Sequence, residues 1–373
     1  IVMRNLPEWP VAFWGAVLAG AIATPLNAWW TGPELEYGLN NSGSAILICD
    51  VERYERIREH FDACPALRKI YVARTREEIA DPRVARFESV IGPSKDWATL
   101  GEAAPPQLSS APEDDVAIFY TSGTTGHPKG AVVSHRNIIS NMFNMAASEA
   151  RAYLRRGEAP PAPDPTAPRR STLISVPFFH ATGCFAVMIP ALLGGHKIVM
   201  QRRWDVDQAL ELMQRERVNG FGGVPTIAWQ VLEHPRLDAY DLSCVESIAY
   251  GGAPSAPELV RRIKEKFPKV SPGQGWGMTE TSAVAVRNVG EDYENRPSSC
   301  GVSLPTGEAK IMSADGQELP RGEVGELWYK GPVVVRGYWN NEKATKETFV
   351  DGWVKTGDLA RMDEENFVTI VDR

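Results

Sequence analysis

Short apolar runs alternate with amphipathic segments along much of the chain, and this alternation predicts strands and helices in turn. Near the start, the pattern predicts a helix over about 8–19 and strands over 45–48 and 70–72. Further along, the predicted strands cover 172–176, 197–200, 218–221, 247–250 and a stretch that ends near 276. Strands that alternate with helices are typical of parallel sheets with helices on their faces.

Helices are predicted between these later strands, over about 205–217 and 257–266. In the first of them, Val206, Ala209, Leu210 and Met213 recur at helical spacing, which predicts one face packed against a core. The polar segment 76–114 and the proline-rich segment 158–170 show no sustained period, so we expect loops there.

The pattern changes at about residue 291, where glycine and proline punctuate short β-rich runs. These runs cover 309–312, 324–329, 333–335 and 367–371. The chain is therefore predicted to be an α/β protein, with two α/β sheet subdomains at 1–170 and 171–290 and a small β-rich subdomain at 291–373.

Composition narrows the class of protein only slightly. The 373 residues carry 40 basic and 47 acidic side chains, and a net charge of −7 argues against a nucleic-acid binder. Five scattered cysteines without C-x-x-C spacing offer no zinc site or redox pair and suit a reducing cytoplasm. The apolar segment 11–23 is shorter than the ~20 residues that a spanning helix needs.

A glycine- and hydroxyl-rich loop carries the strongest chemical signal. An apolar strand over 116–120 leads into it, a second strand over 131–133 leaves it, and Ser134 is placed to cap a following helix. The loop contains Thr121, Ser122, Gly123, Thr124, Thr125, Gly126 and Lys129. Glycines let a backbone approach an anion, and hydroxyl and ammonium groups add donors, so the loop is predicted to cradle a polyphosphate. The alternative is a flexible turn. The loop does not match a Walker A motif, because Gly130 and a strand follow the lysine, and this argues against the further alternative of a P-loop NTPase.

Several motifs in order resemble those of the adenylate-forming superfamily, which includes acyl- and aryl-CoA synthetases. The motifs are the loop 121–130, Pro177-Phe178-Phe179-His180, Tyr250-Gly251-Gly252-Ala253-Pro254, Gly275-Trp276-Gly277-Met278-Thr279-Glu280, Thr356-Gly357-Asp358 and Asp372-Arg373. The resemblance covers nearly the whole chain. It implies that the small β-rich subdomain is a distorted barrel and that the second subdomain holds the acyl and adenine pockets.

The resemblance also implies ATP, Mg²⁺ and coenzyme A as co-substrates or cofactors, and it assigns roles to particular residues. Lys129, Thr279 and Glu280 would be catalytic, with Glu280 also binding the metal. The residues implied for ATP binding are Thr121, Ser122, Gly123, Thr124, Thr125, Gly126, Gly251, Gly252, Ala253, Pro254, Gly275, Trp276, Gly277, Asp358 and Arg373. The family more often has tyrosine at the position of Trp276.

Phe179, His180 and Val224 are predicted to line the acid pocket. Amino-acid-activating relatives have an aspartate soon after the histidine motif, whereas residues 181–186 contain no carboxylate. We therefore expect a medium- or long-chain fatty acid, with an aryl acid as the alternative. Basic pairs such as Arg202-Arg203 suit either contact with an anionic membrane or simple solvation.

Family members continue for a further mobile domain that carries a catalytic lysine. The resemblance thus implies an N-terminal core of an acid–thiol ligase that is catalytically incomplete by itself. A non-catalytic adenylate-binding core is the remaining alternative, and the sequence gives no indication of oligomeric state.

Overall fold

The computed structural model describes residues 1–76, 79–104, 106–121, 126–162, 164, 166–253 and 255–372. The chain divides into two compact units. Unit 1 contains Ile1–His135, Pro177–His180 and Arg336–Glu342, and unit 2 contains Arg136–Val176, Ala181–Val335 and Lys343–Arg373. The predicted α/β fold class is confirmed. The predicted subdomain bounds at 170 and 290 are not tested by this division and stay predictions.

The helices alternate with strands over much of the chain. They are α1 Glu8–Leu18, α2 Gly32–Ser42, α3 Val51–Ile57, α4 Glu88–Ile91, α5 His135–Arg155, α6 Ile189–Leu193, α7 Val206–Arg215, α8 Pro225–Leu232, α9 Pro257–Lys266, α10 Glu291–Asn295 and α11 Glu342–Thr348. A π-helical segment, Thr182–Met188, precedes α6.

The strands follow the predicted order with shifted ends. They are β1 Ile46–Asp50, β2 Lys69–Ala73, β3 Val84–Arg86, β4 Asp115–Thr121, β5 Lys129–Ser134, β6 Ser171–Ile174, β7 Lys197–Met200, β8 Gly220–Gly223, β9 Ser247–Gly251, β10 Ser271–Trp276, β11 Val286–Val289, β12 Val302–Ser303, β13 Glu308–Met312, β14 Gly325–Lys330, β15 Phe349–Val350, β16 Trp353–Met362 and β17 Val368–Asp372.

Unit 1 contains a parallel sheet in the order β1-β2-β3 and the antiparallel pair β4–β5. Leu47 and Ile70 of the parallel sheet are buried. Asp50 caps α3 by accepting a hydrogen bond from the backbone N–H of Arg53, and it also forms a buried ion pair with the Arg53 guanidinium at 3.0 Å. This pairing places an ion pair at the point where the chain turns from strand to helix.

Seven of the described strands of unit 2 form one sheet in the order β12-β11-β10-β9-β8-β6-β7. Strands β7, β6, β8, β9 and β10 run parallel, whereas β11 and β12 are antiparallel to them. Helices α7, α8 and α9 cover one face, where Ala209, Leu210 and Met213 of α7 are buried with Ile248 of β9. The helical stripe predicted for α7 is therefore present and packs in the core.

A second sheet of unit 2 is antiparallel, with the order β13-β14-β16-β15 and with β17 on β16. Alternate residues of β14 face its core, so Leu327 and Tyr329 are fully buried. This sheet corresponds to the β-rich region predicted after residue 291.

Two expectations about secondary structure are wrong. Residues 333–335 form no strand; Val333 and Val335 are buried in the core, and the Val335 N–H donates to the Glu280 carbonyl at 2.9 Å. The segment 76–114 also contains β3, α4 and a 3₁₀ turn, Ser94–Thr99, because Phe87 anchors it against a buried cluster with Ala12 and Ala73. Within the described parts of the chain, no helix combines the length and apolarity that crossing a membrane requires.

Candidate functional site

The predicted phosphate loop joins β4 to β5 in unit 1. Thr121 at the end of β4 lies opposite Lys129 at the start of β5. Gly126 has a φ of 99°, in the left-handed region that favours glycine. The predicted loop residues Ser122, Gly123, Thr124 and Thr125 lie outside the described residues.

Aromatic contacts hold the described part of this loop. The Lys129 ammonium lies 4.7 Å from the centre of the Tyr338 ring. Tyr37 stacks on His127 at 4.5 Å between ring centres, and its hydroxyl donates to the Pro128 carbonyl at 3.0 Å. A cation over an aromatic ring is attracted to it, so the Tyr338 contact favours one orientation of the lysine side chain.

Two predicted acid-pocket residues belong to an aromatic cluster in unit 1. Phe179 is buried with its ring edge-on to Trp29 at 5.2 Å, and the His180 ring lies 6.0 Å from the same tryptophan. Desolvation lowers the pKa of His180 from its usual value. The third residue, Val224, caps α8 in unit 2 and is exposed.

The turn that carries Glu280 follows β10 in unit 2. A Cβ atom on Gly277 would collide with the backbone carbonyl of Ala283, so only glycine fits there. Residues Thr279–Thr281 form a 3₁₀ turn, and the hydroxyl of Thr281 accepts the N–H of Met278 at 3.0 Å. The turn places Glu280 with only 5% of its surface exposed.

Helix α5 holds the far side of this turn. Ser282 and Ala283 have φ values of 52° and 90°, which non-glycine residues rarely adopt. The Asn141 side chain donates to the Ser282 carbonyl at 2.6 Å, and the Ser282 hydroxyl donates to the Val333 carbonyl at 2.9 Å. Strained residues of this kind cost about 1–3 kcal/mol and cluster at functional sites.

Trp276 and Asp358, both predicted to bind nucleotide, are in direct contact. The indole Nε1–H donates to Asp358 Oδ2 at 2.8 Å, and both side chains are buried. The backbone N–H of Asp358 donates to the Thr356 hydroxyl at 3.1 Å, and this bond helps to hold the backbone that carries the carboxylate. The carboxylate and the aromatic ring are therefore positioned as one group.

A cavity of about 210 Å³ lies on the face of the seven-stranded sheet opposite α7, α8 and α9. Its walls come from β6, β8, β9 and β10, from Arg287 of β11, from the π-helical segment and from Met145 of α5. We call it the sheet cavity. Five of the predicted nucleotide residues line it: Gly251, Gly252, Gly275, Trp276 and Gly277.

The other residues of unit 2 that were predicted to bind nucleotide do not line the sheet cavity or lie outside the described residues. Ala253 is exposed beside the cavity-lining Gly252. Pro254 and Arg373 lie outside the described residues. The structure thus joins the glycine motifs, the tryptophan and the aspartate in unit 2.

The predicted metal ligand, the carboxylate of Glu280, suits Mg²⁺ that is bound largely through substrate phosphates. Within the described residues, no group of three or more His, Cys, Asp or Glu side chains could form a complete protein cage for a metal. Mg²⁺ typically takes one or two carboxylates together with substrate phosphates. The buried carboxylate of Glu280 fits that role.

Some residues that build the site escaped the sequence analysis. Asn137, Asn141 and Asn144 recur on one face of α5 and are all buried, and this polar stripe was a detectable signal. Ala186 lines the sheet cavity without any distinctive local pattern, and it lies in the π-helical segment.

The profile of AMP-binding enzymes matches residues 1–339, so the chain belongs to the AMP-binding enzyme family. This confirms the resemblance to adenylate-forming enzymes. A 4-coumarate-CoA ligase 2 from Narcissus pseudonarcissus is 30% identical over 379 residues, which cover 100% of this chain and 64% of that ligase. The chain thus spans less than two thirds of the length of this curated relative.

Two solved structures extend the comparison. The inhibitor-bound N-terminal domain of FACL13 from Mycobacterium tuberculosis has a TM-score of 0.81 and 26% identity, over 100% of this chain and 85% of that one. O-succinylbenzoate coenzyme A synthetase (MenE) from Bacillus subtilis, in complex with AMP, has a TM-score of 0.78 and 25% identity, over 100% and 67%.

Proposed function

We propose that this chain is the adenylate-forming part of an ATP-dependent acid–CoA ligase. The observation that carries the proposal is the sheet cavity of unit 2, bordered by the Trp276–Asp358 pair and by Gly277 of the Glu280 turn. This cavity is mostly apolar and lies beside Asp358, implied for ATP binding, and beside the turn of the buried Glu280, implied for metal binding. The combination suits an acyl-adenylate, which has an acyl group and a nucleotide.

In the first step, a carboxylate oxygen of the acid attacks the α-phosphorus of ATP. The bond from that phosphorus to the bridging oxygen breaks, and pyrophosphate leaves with its electrons. Because two anions approach one another, positive charge is needed; Glu280 would hold Mg²⁺, which would neutralise charge on the phosphates. The catalytic role of Lys129 stays a prediction.

In the second step, the sulfur of coenzyme A attacks the acyl carbonyl carbon. The bond from this carbon to the AMP oxygen breaks, AMP leaves, and the thiol proton is released to solvent. The comparisons with 4-coumarate-CoA ligase and with MenE support this reaction class.

Two acid classes fit the cavity. The glycine and alanine lining and the absence of a carboxylate in residues 181–186 favour an apolar acid over an amino acid, as expected for a fatty acid. An aryl acid is the second candidate, because the curated relative at 30% identity is a 4-coumarate-CoA ligase. Cytoplasmic location and contact with membranes stay predictions.

The first test is acid-dependent exchange of labelled pyrophosphate into ATP by Glu280→Ala. We expect a loss of about 100-fold or more, because the group that holds the metal is removed. AMP binding should persist, since AMP lacks the β- and γ-phosphates. Glu347→Ala on α11, with a 64% exposed side chain, is the matched control.

Full exchange activity in Glu280→Ala would exclude its metal role. If the wild-type chain binds acyl-adenylate analogues but catalyses no exchange, the non-catalytic binding core is the better description.

A further inference from the structure

Ala249 lies in the middle of a central strand and is nevertheless exposed. Its strand, β9, is flanked by β8 and β10 on either side, and its neighbours Ile248 and Tyr250 are buried. Because strand side chains alternate between faces, Ala249 points away from those neighbours and into the sheet cavity, which it lines. The cavity therefore reaches the middle of the sheet.

The register arranges the cavity wall in three rows across the strands. Gly251 pairs with Gly275 near the carboxyl ends of the strands. One row down, Ala249 pairs with Gly222 on one side and Gly273 on the other. Because this middle row holds only glycine and alanine, it leaves an open passage below the nucleotide motifs.

The lowest row ends in a polar group. Ser247 pairs with Gly220, which in turn pairs with Thr172, and all three line the cavity. The Thr172 hydroxyl contacts His196 Nδ1 at 3.3 Å. In the described part of the structure, the Ser247 hydroxyl makes no hydrogen bond. A Cβ atom on Gly220 would lie 2.7 Å from the Ser247 hydroxyl oxygen, so the glycine keeps that oxygen accessible.

The distance between the top and bottom rows gives the length of the acid. Four residue steps from Gly251 to Ser247 cover about 13 Å of strand. An extended chain of single bonds advances about 1.2 Å per bond, as a polypeptide does, so this span fits about ten carbons.

We propose that the acid site continues along β8, β9 and β10 to Ser247, and that it takes a linear acid of about ten carbons with a hydroxyl at its far end. Ala249 and its glycine neighbours keep the passage open, and Ser247 hydrogen-bonds the terminal hydroxyl. This inference rests on the proposed function, because it assumes that the sheet cavity holds the acyl part of an adenylate.

The test measures dissociation constants of the 373-residue chain for sulfamoyl-adenosine probes. The acyl groups are hexanoyl, decanoyl, 10-hydroxydecanoyl and 4-hydroxycinnamoyl, with AMP as the nucleotide reference. From hexanoyl to decanoyl, affinity should rise by up to about fourfold per methylene. Ser247→Ala should weaken the hydroxydecanoyl probe about 2- to 10-fold and leave the decanoyl probe unchanged.

A block in the passage gives a second, independent readout. Ala249→Leu should remove the gain from hexanoyl to decanoyl and leave AMP binding unchanged. Ile248→Val, on the same strand but on the opposite face, should keep that gain and serves as the matched control.

The outcomes separate the two proposals. If the wild-type chain binds neither AMP nor any of the adenylate probes, the proposed function itself is overturned. AMP binding without any gain from hexanoyl to decanoyl, or equal effects of Ser247→Ala on both ten-carbon probes, would overturn only the extended site. Tighter binding of the 4-hydroxycinnamoyl probe than of 10-hydroxydecanoyl would overturn the linear acid and favour an aryl acid.

Discussion

The two faces of the seven-stranded sheet in unit 2 are built from the same strands but from opposite kinds of side chain. On the face toward α7, α8 and α9, Phe221, Ile248 and Tyr250 are buried in one apolar cluster. On the other face, the neighbouring positions are Gly222 and Ala249, and they line the sheet cavity. Alternate residues of one strand therefore pack in the core and line the cavity.

This division shows why the cavity coexists with a rigid scaffold. Close packing on the helical face holds the strands in place, since each large buried side chain contributes about 1.5–3 kcal/mol. The open face then needs no side chains of its own to keep the strands aligned. Substitutions of large side chains on the packed face should therefore change stability, whereas substitutions on the cavity face should change the cavity.

The largest expected effect tests the packed face. Ile248→Ala removes a fully buried side chain and should lower the free energy of unfolding by about 2–5 kcal/mol, measured by urea denaturation. Ala249→Leu, one residue along, should change it by only about 0.5 kcal/mol, because the new side chain enters open space. Equal destabilisation by both variants would show that the second face is also packed.

A smaller effect on stability is expected at Trp276, where the cavity face meets the motifs predicted to bind nucleotide. Trp276→Phe removes the indole donor of the buried Asp358 carboxylate and should cost about 1–3 kcal/mol of stability, together with weaker AMP binding. Trp328→Phe is the matched control, because its indole donates to Glu326 at 2.8 Å on a partly exposed surface. If the two variants bind AMP equally well, the Trp276–Asp358 pair does not position the nucleotide.

The smallest effect tests the glycines of the open face. A Cβ atom at Gly275 would lie 3.5 Å from Val284 Cγ1, an ordinary contact, so Gly275→Ala should stabilise the fold by about 0.4–1 kcal/mol. Gly222→Ala should instead destabilise it, because its Cβ would collide with the Ala249 carbonyl. Melting temperatures of both variants measure the difference. A drop in melting temperature for Gly275→Ala contradicts the expected room in the cavity.

Local patterns predicted the elements that depend on short-range order. The stripe Ala209, Leu210 and Met213 identified α7, and the strands on both sides of the glycine-rich loop were found within two residues of their ends. These predictions worked because periodicity and turn chemistry act over a few residues. The run 333–335 was misassigned because burial alone does not distinguish a strand from an irregular core segment.

The candidate site was predictable only where a motif marked it. Trp276 and Asp358 were each identified, but their hydrogen bond joins residues 82 apart and depends on how β10 and β16 pack. Ser247 and Ala249 belong to no motif. They become visible only through the register of β8, β9 and β10.

The sequence by itself determined the α/β class, the order of most elements and the motifs that mark an AMP-binding enzyme, because these depend on local periodicity and on short stretches of defined chemistry. The tertiary structure alone decided which face of the sheet is packed and which is open. That choice depends on which strands become neighbours and in what register, and pairing of distant segments is not encoded in any single one of them.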